Sequence, residues 1–132
     1  MEDWKIRISV LWLIVEGTFL AWLILMLMEP GVLQQFLLTG EMEGMKIGPE
    51  LLLLFAIVGL VPLIMAFLSL TLKNSTNRWA NIILGIVFVV IPLVVLSEAV
   101  AKSSAWAILN TLSGVVASAL IVWYAWKSKQ KA

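Results

Sequence analysis

Glu16 lies inside the run WLIVEGTFLAW, residues 12–22, within the first long apolar stretch of the chain. A carboxyl so placed can carry a proton, hold a cation, or serve as one partner of a buried hydrogen bond. If the stretch is a membrane helix starting at Ile8, Glu16 sits roughly 12 Å deep at about 1.5 Å per residue, near the middle of a hydrocarbon core about 30 Å thick. An acidic residue there opposes insertion by about 3 kcal/mol, whereas the twelve Leu, Ile, Val and Phe residues of segment 8–28 favour it by roughly 4 to 7 kcal/mol. Insertion therefore proceeds despite Glu16.

An ionised carboxylate without a partner is heavily penalised in hydrocarbon, so the group is expected to be neutral or paired. No Lys or Arg lies at that depth in any apolar segment. Two neutral partners do: Ser118, eight residues before Trp126, and the carbonyl of Phe88, which Pro92 deprives of its helical N–H partner. The expectation is a protonated Glu16 facing the bundle interior and donating to Phe88 O, to Ser118 or to a trapped water. Two roles fit, a proton, ion or substrate site and a structural or interface hydrogen bond; the lack of a second acid at this depth favours the structural one.

Other residue types narrow the chemistry further. There is no Cys and no His, which removes disulfides, thiol nucleophiles, imidazole ligation and the usual acid–base residue of neutral pH. Asn110, Ser113, Gly114, Ala117 and Ser118 form a small-residue side on the last apolar segment, and Asn81 and Gly85 have the same spacing on the third; both are expected to let helices approach closely. Pro62 and Pro92 are expected to kink their helices. Met26 with Met28 and Met42 with Met45 offer soft thioethers to Cu(I), but without Cys or His nearby they read as apolar filler. Glu41, Glu43 and Glu50 read as solvated acids rather than a preformed cation site. Glu98 and Lys102 have the favourable order for a helix-end pair. Nothing forms a nucleophile–base pair, a phosphate loop or a metal cage, so the expectation is a non-enzyme with no cofactor and no metal.

These residues must be positioned by a membrane fold. The chain has 132 residues, 62% hydrophobic and 13% charged, with a mean hydropathy of +1.05, against roughly a quarter charged in soluble domains. Segments 8–28, 51–72, 79–97 and 105–126 are long enough to span. Seven Lys and Arg residues (Lys5, Arg7, Lys73, Arg78, Lys127, Lys129, Lys131) fall on one side and only Lys46 and Lys102 on the other, which places both termini and the 73–78 loop in the cytoplasm. Arg78, Trp79, Trp123, Tyr124 and Trp126, with Trp4, mark that boundary as interface anchors, and Asn77 reads as the cap before Trp79. The external connection 29–50 carries four Glu and one Lys; Val32–Leu38, closed by Thr39 and Gly40, reads as a short interfacial helix and the rest as a turn-rich tip. The architecture expected is all-α, a single domain of four transmembrane helices running up-down-up-down, N-in and C-in. The bilayer is the first partner; four helices rarely enclose a pathway alone, so a homo-oligomer or another membrane subunit is the second. No basic tract suggests nucleic acid. Association is the leading function, and an oligomeric proton-coupled transporter or channel built around Glu16 is the alternative.

The motif Asn77-Arg78-Trp79-Ala80-Asn81-Ile82-Ile83-x-Gly85-Ile86, the run Leu120-Ile121-Val122-Trp123-Tyr124-Ala125-Trp126, Glu29-Pro30-Gly31, Leu11-Trp12 and Leu68-Ser69 together resemble a family of small four-helix prokaryotic membrane proteins known only as a domain of unknown function. The resemblance implies a four-helix membrane fold in a prokaryotic inner membrane and no assigned activity. It also implies an acidic residue late in the first helix and a glutamate in the fourth, at positions occupied here by Leu23 and Gly114. Glu16, seven residues before Leu23 and on roughly the same helix face, is then where this chain would carry the acid instead.

Overall fold

The computed structural model describes residues 3–42 and 44–128; Glu43, Lys129 and Lys131, which belong to the loop and tail charge patterns, lie outside the described residues. Among the described residues the elements run α1 (Asp3–Met28), α2 (Val32–Thr39), a small antiparallel hairpin of β1 (Glu41–Met42) and β2 (Met45–Lys46), α3 (Pro49–Thr71), α4 (Asn74–Ala101) and α5 (Ala105–Lys127). Four of the helices, α1, α3, α4 and α5, are long and apolar enough to cross a membrane. The chain is an all-α bundle of membrane type.

Local chemistry sets the helix ends. Pro30 cannot continue α1, and Gly31 takes a left-handed φ of +85° that turns the chain into α2. At the far end of α2, Gly40 is again left-handed and its N–H donates to Phe36 O at 2.8 Å, the usual glycine stop. Gly48 and then Pro49 open α3, where proline's fixed φ suits the first turn and its missing N–H costs nothing.

The turn between α3 and α4 is tighter than expected. The third spanning helix begins at Asn74 rather than Trp79, so Asn77 is not its cap but lies within its first turn. Its amide instead donates to Ser69 O at 2.7 Å and Leu72 O at 3.5 Å, occupying carbonyls that the end of α3 leaves without helical partners. Both Pro62 and Pro92 sit inside helices that continue past them.

The spanning helices pack in the order α3–α1–α5–α4. Neighbours run antiparallel: Ser9 bonds Ala66 O while Glu16 lies against Gly59, and on the other pair Gly85 faces Val122 while Pro92 faces Gly114. By contrast α3 and α4 barely touch beyond their turn, which leaves a seam between them. Trp12, Ile8 and Ile121 are fully buried at the centre of the main core, with Val15, Met65, Ile82, Phe88 and Ala117 around them. A second cluster of Met26, Val32 and Met42, backed by Trp22, Leu23, Phe36 and Trp106, fastens α2 and the hairpin to one end of the bundle. Only a minority of each span is buried within the chain, as a bilayer solvent allows.

Candidate functional site

Glu16 is buried, 8% exposed, at the contact between α1 and α3. A Cβ built on Gly59 would lie 3.6 Å from Glu16 Oε1, so the carboxyl rests against α3 at a residue without a side chain. Its Oε2 is buried with no hydrogen-bond partner among the described residues. Ser118 Oγ is in the same condition, so the expected bond between the two is not made, and Phe88 O does not receive the carboxyl either.

The depth expected for these groups agrees with their common level, but their direction around the helix does not. Val15, Thr18, Phe19 and Trp22 point from α1 into a chamber of about 340 Å³ that all four spanning helices line. Their spacing of i, i+3, i+4, i+7 is one helix face. Glu16, one residue from Val15, is turned by about 100° on an α-helix and meets α3 instead. Phe88 and Pro92 of α4 and Ser118 of α5 do line that chamber, together with Gly114 and Asn110. The structure thus gathers Ser118, Phe88 and Pro92 and leaves Glu16 outside. Of the two positions where the family resemblance implies acids, Gly114 borders the chamber and Leu23 packs in the Met26 cluster.

The small-residue positions serve packing within one chain. A Cβ on Gly85 would fall 2.7 Å from Val122 Cγ2, and one on Gly114 would fall 3.3 Å from Thr18 Oγ1 and 3.7 Å from Pro92 Cβ. Ala117 and Ser118 are buried beside them, whereas Ser113 points outward and donates to Leu109 O at 3.0 Å. Asn110 Nδ2 reaches across to Thr18 O at 3.0 Å.

Asn81, expected only as a small packing residue, is the hub of a buried polar network. Trp12 Nε1 donates to Asn81 Oδ1 at 2.6 Å and Ser69 Oγ donates to the same oxygen at 3.2 Å. Asn81 Nδ2 donates to Asn77 O at 2.8 Å and to Asn77 Oδ1 at 2.6 Å. Trp12 also meets Phe88 edge-on at 5.4 Å. The readable signal was the Asn77–Asn81 spacing of four, which puts both amides on one face; the partners on α1 and α3 follow only from the packing.

At the end of the bundle that holds the α3–α4 turn, Arg78 is buried, its guanidinium 4.8 Å from the Trp79 ring and 5.1 Å from the Trp126 ring. Nearby, Lys127 lies 4.3 Å from Trp123 and Arg7 lies 5.6 Å from Tyr124, within the range of attraction between a cation and a ring face. At the opposite end Trp106 Nε1 donates to Glu29 Oε1 at 2.6 Å. Glu41 stands opposite Lys46 and Met42 opposite Met45 in the hairpin, so Met42 and Met45 share a strand pairing while Met28 points outward.

The chain belongs to the DUF6326 family, a family of unknown function, whose model matches residues 1–132. No curated protein and no solved structure matches it.

Proposed function

We propose that this DUF6326 member is a non-enzymatic integral membrane protein that works by helix association, as a homo-oligomer or as an accessory subunit. The observation that supports this reading is the outer face around Glu16. Gly17 is exposed, and a Cβ built there would meet nothing within 4 Å; Ala21 follows at the small-xxx-small spacing, and Ala56 on α3 is also exposed. Apolar exposure alone does not drive association in lipid, but small residues that admit another backbone do. The small-residue side of α5 is consumed within the chain, so the association surface shifts to α1 and α3. The charge distribution supports an orientation with both termini and the α3–α4 turn in the cytoplasm.

The chain has no Cys, so single cysteines report contacts cleanly. Gly17→Cys is expected to form a disulfide-linked dimer or a cross-link to a second subunit in native membranes. Leu109→Cys, on an outward position of α5 that is 70% exposed, is expected to give neither. A Gly17→Cys chain that stays uncross-linked, with the mass of a lone chain in native-lipid discs, would sink the reading.

A second reading, an oligomeric proton-coupled transporter or channel, draws support from Glu16 Oε2, a buried carboxyl oxygen without a partner in one chain. Proton flux into liposomes decides it: equal flux for wild type and Glu16→Gln, or flux in neither, removes the transport reading.

A further inference from the structure

We infer that the chamber between the four spanning helices is a binding site for a neutral, lipophilic ring compound carrying one hydrogen-bonding oxygen, with Ser118 as its polar contact. The chamber holds about 340 Å³. That is the lower range of pockets that take organic ligands, roughly 300 to 1,000 Å³, and well above the roughly 150 Å³ apolar cavity that stays dry and accepts a benzene ring. Left empty, its lining atoms would forfeit their dispersion contacts.

The polar inventory decides what fills it. Thr18 Oγ1 already donates to Val15 O, Thr111 Oγ1 to Ala107 O, and Asn110 Nδ2 to Thr18 O. Among the described residues Ser118 Oγ is the fully buried bordering group that has no partner, while Asn110 Oδ1 sits on a half-buried side chain open to other contacts. A buried water needs two to four partners, and an ion or sugar needs more, so one free hydroxyl selects a molecule with one polar atom. Ser118 is fully buried, and a turn about its Cα–Cβ bond would bring that hydroxyl to the ligand. No charged side chain borders the chamber among the described residues, which selects a neutral molecule.

Ring geometry favours a flat group over an acyl chain. Phe19 and Phe55 stand edge-to-face, with centroids 6.2 Å apart, and Phe88 is braced by Trp12. Rings held at fixed angles offer faces and edges to a further ring. Entry is through the seam where α3 and α4 fail to pack, which opens to hydrocarbon rather than to water.

The chamber lies within one chain, so its occupancy is independent of the association reading. The test is saturable binding of 4-butylphenol, butylbenzene and 1-decanol, three probes of equal carbon count, to the full chain in lipid nanodiscs, measured above protein-free discs. Butylphenol is expected to saturate at one per chain and to bind roughly three- to tenfold tighter than butylbenzene, the range of one net hydrogen bond. Ser118→Ala is expected to remove that ratio while butylbenzene still binds. Val58→Trp, or the milder Val95→Phe, is expected to abolish saturable binding of both with helicity and melting retained. No saturable binding to wild type, a ratio that survives in Ser118→Ala, or binding that survives in a folded chamber-filling variant would each overturn the proposal. So would decanol binding as tightly as butylphenol, which would assign the chamber to acyl chains.

Discussion

Replacing Asn81 with Ala should unfold the bundle more easily than any other single polar deletion in the spans. Asn81 is fully buried and its carbonyl oxygen accepts from both Trp12 Nε1 and Ser69 Oγ, while its amide donates twice to Asn77. Loss of the acceptor strands a Trp12 N–H that is itself fully buried, which costs about 1–3 kcal/mol. The lost bonds to Asn77, within α4, add about 0.2–0.5 kcal/mol as an i,i+4 pair, and the lost bond from Ser69 adds about 0.6 kcal/mol at the average measured between membrane helices. The sum, about 2–4 kcal/mol, is large against a typical stability of about 5–15 kcal/mol. Reversible denaturation in mixed micelles, followed by tryptophan fluorescence, reads it. The double-mutant cycle with Trp12→Phe isolates the indole bond, and the two losses should fall short of additivity by about 1 kcal/mol, because once Trp12 is Phe no donor is stranded. A loss under about 0.5 kcal/mol for Asn81→Ala, or additivity of the pair within about 0.3 kcal/mol, refutes the claim that this network holds α1, α3 and α4 together.

Gly85→Ala places a methyl 2.7 Å from Val122 Cγ2 and should cost about 1–3 kcal/mol through overpacking; Gly85→Ala with Val122→Ala should recover most of it in the same denaturation assay. In chains dispersed as monomers in detergent, Glu16→Leu should leave stability unchanged or raise it by up to about 1 kcal/mol, since a buried oxygen without a partner is a liability that an apolar side chain lacks; a loss above about 1 kcal/mol in native-lipid discs is expected only if a second chain supplies the partner. Trp106→Phe removes the donor to Glu29 Oε1, and with about 1 kcal/mol less holding the loop end, limited proteolysis should cut between α1 and α3 faster at unchanged global melting.

The spans and the relative levels of residues along them were legible because hydropathy and helical rise are one-dimensional properties, readable residue by residue. Direction around each helix was not. Ser118, Phe88 and Pro92 were placed together at one level and do meet at one chamber, yet Glu16 at the same level is turned onto α3, because the neighbour order α3–α1–α5–α4 is not written in any single segment. For the same reason Asn77 read as a helix cap: its true partners are carbonyls at the end of the preceding helix. The short helix was legible as Val32–Leu38 from its apolar run and the closing Thr39 and Gly40, and it ends one residue later, but the hairpin after it was not legible, since two-residue strands leave no alternation to detect.

What the packing adds is a reason for Glu16 to sit where it does. Ser9, Trp12 and Glu16 recur on α1 at intervals of three and four, which places all three on one face. The face of α3 they meet carries Gly59, Ala66 and Ser69, small residues that let the two backbones approach. The first two polar groups are satisfied, Ser9 by Ala66 O and Trp12 by an amide that Ser69 and Asn77 hold in place. Glu16 is the third member of the same row, but Gly59 has no side chain to answer it, and no bond runs from the carboxyl to the Val58 carbonyl that Pro62 frees. Under the association reading proposed above, a partner for the carboxyl comes from another chain. Gly17 and Ala56 leave room for one on the lipid side, whereas the chamber lies around the corner of α1, so the arrangement favours a contact between chains over a path through one.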